Sequence, residues 1–295
     1  MKNEWTILLT GASGLLGSAV SERLAREGIR VLGLCNGQAG PGLVPVDLMR
    51  TESARELERL EWNAAVNCAA FRSPDYCEIH REEARVLNVR VPEWLARLAA
   101  ARKAPFIQIS TDYVFPGTRP PYAEASPVEP VNFYGQTKAE AEAAVLAAHD
   151  GALVMRIPAL YGPFRPPVFS PLLQEGIEAA LGADPLTLDD VTVRYPTAVA
   201  DVAEVIARAI PLRLAGLLQV SAGEAATRYG WACRIARWLG RDTARLRPGP
   251  AASDRPAKRP VDCHLATGRL ESLGLPVPRP FSAVLPNLFT EIGLL

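Results

Sequence analysis

The sequence predicts an α/β fold, a doubly wound parallel sheet, from two observations. Short and nearly continuous apolar runs alternate with longer segments in which apolar residues recur every three or four positions. Apolar runs without polar alternation are typical of strands that are covered on both faces, and the longer period is that of amphipathic helices. Strands and helices that alternate in this way predict βαβ units and a parallel sheet.

Each element of the first half follows from one of these two patterns. The predicted strands are TILLT (6–10), RVLGL (30–34), AAVNCA (64–69), FIQIS (106–110) and ALVMRI (152–157). The predicted helices are SAVSERLAREG (18–28), SARELERLE (53–61), REEARVLNVRVPEWLARLAAARK (81–103) and KAEAEAAVLAAH (138–149). Pro92 lies within the third helix, and we expect it to kink or split that helix because proline lacks a backbone N–H group.

The pattern changes after residue 157, where proline clusters interrupt shorter segments. VADVAEVIARAI (199–210) and YGWACRIARWLG (229–240) predict helices, and LLQVSA (217–222) is a possible strand between them. We therefore predict a first domain over 1–157, to which 190–212 returns, and a smaller α+β domain over 158–295 that is interleaved with it.

Composition excludes several classes of partner and cofactor. Thirty-two basic residues balance 32 acidic ones, so no global field favours nucleic acid or an anionic membrane. The five cysteines form no CxxC pair and the three histidines lie far apart in sequence, so we expect no metal site. No apolar run reaches the roughly 18 residues that a membrane span needs, and the N-terminal segment lacks a signal-peptide core, so we expect a soluble, cytoplasmic protein.

A glycine-rich segment, TGASGLLG (10–17), joins the first strand to the first helix. Glycines at positions 11, 14 and 17 would let the backbone turn tightly and approach a pyrophosphate, while the helix N-terminus offers unpaired N–H groups. At the first strand-to-helix junction of a βαβ chain, this motif predicts a dinucleotide site of the Rossmann type. The predicted contacts are Gly11, Ser13, Gly14, Leu15 and Gly17.

The end of the second strand, LGLCNG (32–37), bears on the choice of cofactor. An acidic residue there would hold the ribose hydroxyls of NAD and would repel the 2′-phosphate of NADP. This strand end has neither Asp nor Glu, which favours NADP, although no Arg follows to hold the phosphate and NAD stays possible. Asn36 is the predicted contact.

Two further strand ends should contribute to the same site. In VDL (46–48), Asp47 could hydrogen-bond an adenine amine and Leu48 could do so through its backbone; alternatively Asp47 caps the helix that begins near Thr51. In NCAA (67–70), small residues would let a flat cofactor lie close to the backbone. Cys68, Ala69 and Ala70 are the predicted contacts there.

The segment NFYGQTKAEAE (132–142) contains a Tyr and a Lys four residues apart, which a helix places on one face. The fifth strand ends ISTDYVF (109–115), so Thr111 lies at the carboxyl edge where open α/β sheets bind ligands. The Lys138 ammonium, close to Tyr134, would lower the pKa of the phenol. The Thr111 hydroxyl would hold the carbonyl oxygen of a substrate. Thr111, Tyr134 and Lys138 are therefore the predicted catalytic residues.

Together these features resemble the extended short-chain dehydrogenase/reductase family over essentially the whole chain. The motifs that carry the likeness, in order, are TGASGLLG, NCAA, VLNV, STDYVF, PPYAEASPVEPVNFYGQTKAEAE and RIPALYG. STDYVFPG followed by PY and YGQTK resembles the branch of the dTDP-4-dehydrorhamnose reductases and of the regulatory β subunits of methionine adenosyltransferase. RYPTAVADVA (194–203) and RPVDCHLATGRLESLG (259–274) are more similar to the second group.

The resemblance implies an NADP-dependent reductase of a 4-keto nucleotide sugar, as in dTDP-rhamnose biosynthesis, acting as a homodimer. It implies that Asn88 orients Lys138 through backbone and water, that Lys138 also binds the nicotinamide ribose and that Ile157 lines the cofactor site. For Asn88 the alternative is a polar residue at the helix kink before Pro92. A regulatory subunit without dominant chemistry is the competing function.

We expect the substrate to be bound by the end of the fifth strand and by the second half of the chain. Arginine forks suit phosphate oxygens, although most arginines here need not be ligands. An epimerase or dehydratase fits less well, because such dehydratases usually carry an acidic pair after the catalytic hydroxyl, whereas one Asp and then a Tyr follow Thr111. The predicted substrate contacts are Asp112, Tyr113, Arg156, Tyr161, Arg194 and Arg259.

Overall fold

The computed structural model describes residues 5–37, 42–50, 52–163, 170–291 and 293. Among these residues, a central sheet of seven strands has the order β3-β2-β1-β4-β5-β6-β10, and every neighbouring pair is parallel. This order confirms the predicted doubly wound parallel sheet. The strands are β1 (Thr6–Thr10), β2 (Arg30–Cys35), β3 (Leu43–Pro45), β4 (Ala64–Asn67), β5 (Phe106–Thr111), β6 (Ala152–Ile157), β7 (Leu160–Tyr161), β8 (Leu186–Asp189), β9 (Thr197–Ala198), β10 (Gly216–Gln219) and β11 (Leu246–Gly249).

Helices cover both faces of the sheet and build the smaller region after it. Within the described residues, none of them is long and apolar enough to cross a membrane. They are α1 (Leu15–Arg26), α2 (Ser53–Glu58), α3 (Pro74–Ile79), α4 (Arg81–Arg85), α5 (Val91–Ala101), α6 (Phe133–Ala148), α7 (Pro171–Leu181), α8 (Val199–Ala209), α9 (Arg228–Trp238), α10 (Gly268–Ser272) and α11 (Phe281–Glu291).

The long predicted helix over 81–103 is divided by a π-helical turn, Val86–Arg90, between α4 and α5. The break precedes Pro92, which occupies the first turn of α5. A proline there needs no intrahelical N–H partner, and the wider turn before it avoids a clash with the carbonyl one turn back. The side chain of Asn88 is thereby placed inside the protein, where it is fully buried.

The two faces of the sheet have separate apolar cores. One core joins β1, β4, β5 and β6 to α1 and α8, and the other packs α5 and α6 on the opposite face. Two elements that follow residue 157 in the chain therefore belong to the first region: α8 packs against α1, and β10 pairs with β6. Residue 157 remains a proposed boundary, because α8 and β10 follow it in the chain but pack with the first region.

The smaller region has its own core, formed by α7, α9 and α11 around Trp231. The parallel pairs β7·β9 and β8·β11 lie in this half of the chain. Gly176 of α7 faces Trp231 and Ile235 of α9 so closely that a Cβ atom at 176 would lie 2.4 Å from the indole nitrogen and 2.5 Å from Ile235 Cδ1. The absence of a side chain at 176 is what lets the two helices meet.

We expect Gly176→Ala to lower the free energy of unfolding by about 1–3 kcal/mol, because overpacking outweighs the better helix propensity of alanine. Urea denaturation followed by circular dichroism measures the change. Gly223→Ala is the matched control: Gly223 is exposed and a Cβ atom added there would meet no other atom within 4 Å, so its stability should change by less than about 0.5 kcal/mol. Equal effects of the two substitutions would contradict this account of the α7·α9 contact.

Candidate active site

A cavity of about 550 Å³ opens at the carboxyl edge of the central sheet. It extends from the glycine-rich turn after β1 to the first turns of α6, and the ends of β2, β4, β5 and β6 lie between them. Parallel strands direct all these ends to one edge, and this is where open α/β sheets bind ligands. Every cofactor contact predicted from the sequence lines this cavity: Gly11, Ser13, Gly14, Leu15, Gly17, Asn36, Asp47, Leu48, Cys68, Ala69, Ala70, Tyr134, Lys138 and Ile157.

The glycine turn is shaped by close approach of backbone to backbone. Gly11 has a φ of +62°, and a Cβ there would lie 2.9 Å from the backbone nitrogen of Ala69. A Cβ on Gly17 would lie 2.1 Å from the Gly11 carbonyl oxygen. Larger residues would push the first turn of α1 away from β1 and β4, so the glycines hold open the space that a pyrophosphate would fill in front of the α1 N-terminus.

The two strand ends beyond β1 place polar groups at the far side of the cavity. Asn36 follows β2 and is exposed, and no carboxylate stands at this strand end. Asp47 follows β3 and its Oδ1 accepts a hydrogen bond from Met49 N at 3.0 Å. Asp47 therefore closes its own turn and does not cap α2, whose N-cap residue is Glu52. Its side chain remains exposed at the cavity wall.

A chain of buried polar groups crosses the sheet beneath the cavity. Thr10 Oγ1 donates to Asn67 Oδ1, Asn67 Nδ2 donates to Gln108 Oε1 at 2.7 Å, and Gln108 Nε2 donates to the Ile109 carbonyl at 2.8 Å. The Lys138 ammonium donates to the same carbonyl at 2.6 Å. Buried polar groups need such partners, so this chain fixes the ends of β1, β4 and β5 relative to α6.

Tyr134 and Lys138 lie on α6 with the spacing that the sequence predicts, and Thr111 ends β5 beside them. The Asn132 side chain caps the helix by accepting from Gly135 N at 2.8 Å. A Cβ at Gly135 would lie 2.2 Å from the Tyr113 carbonyl oxygen, so the helix begins directly against the chain that follows β5. The Thr111 hydroxyl lies close enough to the Tyr134 phenol to affect its pKa. The structure thus brings the three predicted catalytic groups to one end of the cavity.

The protonation of these groups follows from their burial. Burial raises the pKa of Tyr134, and the Thr111 hydroxyl opposes that rise. Burial lowers the pKa of Lys138 to about 8, and the Glu142 carboxylate opposes that fall. We predicted from sequence that Lys138 lowers the pKa of Tyr134. In the structure the pKa of Tyr134 is raised instead, because burial of the phenol has the largest effect on it, and the Lys138 ammonium binds the Ile109 carbonyl.

Asn88 connects α6 to the loop after β4. Its amide donates to the Phe71 carbonyl at 3.0 Å and to Thr137 Oγ1 at 3.1 Å, and its Oδ1 accepts from Phe71 N at 2.9 Å. Thr137 directly precedes Lys138, so Asn88 contacts α6 one residue before the lysine. The side chain does not touch the ammonium itself, and the polar interruption of the helix is what makes these bonds possible.

Three of the predicted substrate contacts lie at the Tyr134 end of the cavity: Asp112, Tyr113 and Arg194. Arg194 Nη2 donates to the Tyr113 hydroxyl at 3.2 Å, and its Nη1 donates to backbone carbonyls, including Pro260 O at 3.1 Å. Asp112 accepts from Thr111 Oγ1 at 3.0 Å. Burial raises the pKa of Asp112 to about 6, against the opposing effects of the Arg194 charge and of the Thr111 hydrogen bond.

The other three predicted substrate contacts do not line the cavity, and these predictions are corrected. Arg156 is buried and binds Glu142, with Nη2 2.7 Å from Oε2. Arg259 forms a two-bond ion pair with Asp75 of α3. Tyr161 is buried against Trp231 in the smaller core. Each side chain has an internal role that the sequence pattern does not reveal.

The cavity also has walls that sequence reasoning missed. Most of them lie at the carboxyl end of a strand or within a few residues after it, where the topology alone would have indicated them, whereas Leu87 lies in the π-helical turn. The missed residues are Leu16, Leu34, Cys35, Val46, Met49, Phe71, Arg72, Pro74, Leu87, Ile109, Ser110, Pro158, Ala159 and Leu160.

The residues present fit a dinucleotide better than a metal. In the described part of the chain, no group of three or more His, Cys, Asp or Glu side chains could hold a metal ion, and the five cysteines are free thiols. The glycine turn, by contrast, lines one end of the cavity with backbone packed so closely that a Cβ at Gly11 or Gly17 would clash. The cavity continues from that turn to Tyr134 and Lys138, which is the path that a dinucleotide with its reactive ring beside the phenol would follow.

Comparisons with known proteins agree with this arrangement. The chain is 36% identical over 281 residues to methionine adenosyltransferase 2 subunit beta of Rattus norvegicus, covering 93% of this chain and 84% of that protein. It is 34% identical over 290 residues to a probable dTDP-4,6-dihydroxy-2-methyloxan-3-one 4-ketoreductase of Streptomyces antibioticus, covering 97% and 95%.

A solved structure also shares the fold over the whole length. The crystal structure of a dTDP-4-dehydrorhamnose reductase from Clostridium acetobutylicum matches with a TM-score of 0.85 at 27% identity, covering 98% of this chain and 99% of that one. The family model described as the RmlD substrate binding domain matches residues 5–293. The chain therefore belongs to the family of the RmlD substrate binding domain.

Proposed function

We propose that this protein is an NADP-dependent oxidoreductase that reduces a 4-keto nucleotide sugar. The observation that carries the proposal is the convergence of Thr111, Tyr134 and Lys138 at one end of a cavity whose other end is a dinucleotide-type glycine turn. One similar protein is named as a 4-ketoreductase of a dTDP sugar, and the compared structure as a dTDP-4-dehydrorhamnose reductase. We extend the shared substrate class, a dTDP-linked keto sugar, to this chain.

The cofactor would bind along the cavity from Gly11 to Tyr134. The α1 N-terminus and the glycine turn would hold the pyrophosphate, the wall at Cys68, Ala69 and Ala70 would support the middle of the molecule, and Lys138 would bind the nicotinamide ribose. When bound, the cofactor supplies the hydride. Asn36 in place of a carboxylate leaves room for a 2′-phosphate without charge repulsion, which supports NADP.

The protein's own groups supply the proton. At neutral pH Tyr134 is protonated, because its pKa is raised, and Lys138 is mostly charged, because its pKa is about 8. This is the state that a reduction needs: the phenol gives its proton to the carbonyl oxygen of the substrate, and the ammonium then stabilises the tyrosinate. Thr111 would hold the same carbonyl oxygen by turning its hydroxyl hydrogen from Asp112, where it points in the structure, to the substrate.

Arg194 and Tyr113 would form the substrate end of the site. The guanidinium is anchored by backbone carbonyls and by the Tyr113 hydroxyl, which leaves a fixed positive charge at the cavity wall. A fixed arginine suits the phosphate oxygens of a nucleotide sugar. Asp112 lies behind Thr111 and accepts its hydroxyl hydrogen in the structure.

We expect Tyr134→Phe to lower kcat for the keto sugar by at least about 100-fold, because the general acid is lost. Consumption of NADPH in the presence of dTDP-4-dehydrorhamnose, followed by absorbance, measures the rate. The affinity for NADPH, measured by fluorescence titration, should change little because the ring remains. Tyr229→Phe is the control, since that phenol lies outside the cavity lining and its loss should leave the rate unchanged.

The wild-type rate decides the proposal itself. If the unmodified protein turns over neither dTDP-4-dehydrorhamnose nor dTDP-4,6-dihydroxy-2-methyloxan-3-one with either reduced cofactor, the reductase proposal is wrong. A Tyr134→Phe variant that keeps the full rate would instead leave the substrate class standing and remove the phenol from the mechanism.

We expect Asn36→Asp to shift the preference from NADPH towards NADH, with the ratio of the two dissociation constants changing by at least about 10-fold. The new carboxylate would repel a 2′-phosphate and could bind ribose hydroxyls. Titration of the reduced cofactors by fluorescence measures both constants. Asn287→Asp adds the same charge at an exposed site on α11 and should leave the ratio unaltered; a parallel change in both variants would contradict the role of Asn36.

The similarity to methionine adenosyltransferase 2 subunit beta favours a second candidate function, a cofactor-binding regulatory subunit. A subunit of this kind would use the cavity to bind a dinucleotide without turning over a sugar. We propose it only as the alternative, because a binding role does not account for the buried ammonium beside a protonated phenol.

For the reductase we propose a cytoplasmic homodimer. Analytical ultracentrifugation of the purified protein should then give the mass of two chains, and addition of a methionine adenosyltransferase catalytic subunit should produce no faster species. Formation of a stable mixed complex would favour the regulatory candidate, and a monomer at micromolar concentration would contradict the homodimer.

A further inference from the structure

A buried ion pair lies behind the proposed catalytic groups, and the mechanism above does not use it. Glu142 of α6 and Arg156 of β6 are 5% and 2% exposed. Arg156 Nη2 donates to Glu142 Oε2 at 2.7 Å and Nε donates to Oε1 at 3.0 Å. Ser110 Oγ donates to Oε1 at 2.5 Å. The Glu142 carboxylate therefore joins α6 to the ends of two neighbouring strands.

The same carboxylate faces the lysine. Glu142 follows Lys138 by one helical turn, so the two side chains share a face of α6. Ser110, which binds Glu142, directly follows Ile109, whose carbonyl accepts from the ammonium. The peptide that holds Lys138 and the side chain that holds Glu142 are thus adjacent on β5.

Stability alone does not explain a pair in this position. Removing two charges from water costs several kcal/mol, and apolar residues of similar volume often replace a buried ion pair without loss of stability. Arg156 is also held by the Glu124 carbonyl at 3.1 Å and lies 5.0 Å from the Phe115 ring centroid, so it is anchored independently of the lysine. What the pair does is fix the Glu142 carboxylate one helical turn from Lys138.

We propose that Glu142 is a positioning residue for the reduction: its carboxylate, fixed by Arg156 and Ser110, keeps the Lys138 ammonium charged and held against the end of β5. The inference rests on the proposed function for its catalytic consequence. The proposed effect of Glu142 on the charge of Lys138 concerns the protein alone and can be tested without substrate.

The groups around the ammonium agree with this role. Burial lowers the pKa of Lys138 to about 8, and the Glu142 charge, followed by the Cys68 and Cys77 thiols from the β4 end and α3, opposes that fall. Tyr134, one turn before the lysine, is protonated at neutral pH and carries no charge. The Glu142 carboxylate has the largest of these opposing effects, so its neutralisation should make Lys138 lose its proton at lower pH.

The test is an NMR titration of Lys138 in Glu142→Gln. The sequence contains four lysines, Lys2, Lys103, Lys138 and Lys258, so protein labelled with 13C at the lysine ε carbon gives few signals, and Lys138→Gln assigns the relevant one. Glutamine keeps the size of the side chain and an acceptor oxygen but removes the charge. We expect the Lys138 midpoint to move to lower pH by about one unit.

Glu140→Gln is the matched control. Glu140 lies on the same helix two residues earlier, where it pairs with Arg85 at the surface, and the same chemical change there should leave the midpoint in place. If Glu142→Gln does not fold because Arg156 is left unpaired, the double variant Glu142→Gln with Arg156→Gln removes both buried charges. It should also shift the midpoint to lower pH, but by less than Glu142→Gln, because the double variant loses the positive charge of Arg156 together with the carboxylate. An unshifted midpoint in either folded variant would overturn the proposal.

Kinetics then separate this inference from the proposed function. In an active enzyme, the alkaline limb of the kcat profile should move to lower pH in Glu142→Gln by the same amount as the NMR midpoint, while KM for the sugar at low pH stays near that of the wild type. A wild-type protein without turnover would refute the proposed reductase function, whereas the NMR result on the effect of Glu142 on Lys138 would remain valid. A midpoint shift without a shift of the kcat limb would overturn the catalytic part of the role of Glu142.

Discussion

The structure depends on one hydrogen bond, from the Lys138 ammonium to the Ile109 carbonyl at 2.6 Å. It fixes α6 to the end of β5 at the point where the sheet meets the cavity. A neutral carbonyl, unlike a carboxylate, satisfies the geometry of the ammonium without cancelling its charge. The peptide that accepts the bond is itself held by Gln108 and so by the polar chain that reaches β1.

The start of α6 is determined as strictly as its interior. Gly135 lets the helix abut the Tyr113 carbonyl, and the Asn132 amide, which caps the helix, also donates to the Lys258 carbonyl at 2.8 Å. The loop around Lys258 belongs to the second half of the chain. The smaller region thus helps to fix the position of Tyr134. The site therefore depends on contacts from both predicted domains.

Local signals were sufficient for the sheet and for identifying residues that line the glycine-turn end of the cavity. The glycine spacing, the strand ends and the four-residue interval between Tyr134 and Lys138 are properties of short segments, and each has a direct geometric meaning. The roles of Arg156 and Arg259 depend instead on partners at Glu142 and Asp75, and no short pattern in the sequence identifies those partners. The pKa of Tyr134 could not be predicted either, because the burial of the phenol, which has the largest effect on that pKa, is a property of the assembled cavity.

Burying a lysine beside a phenol is unfavourable, and this distinguishes the two candidate functions. Desolvation lowers the pKa of Lys138 to about 8, so folding gives up part of the favourable solvation of the ammonium, and the Glu142 and Arg156 charges are desolvated as well. A protein that only binds a dinucleotide could meet its needs with the glycine turn and neutral donors. A proton donor whose conjugate base must be stabilised in a water-poor cavity does need a charged amine beside it, and the amine in turn needs an anion to remain charged. The stability given up at this site therefore argues for chemistry there.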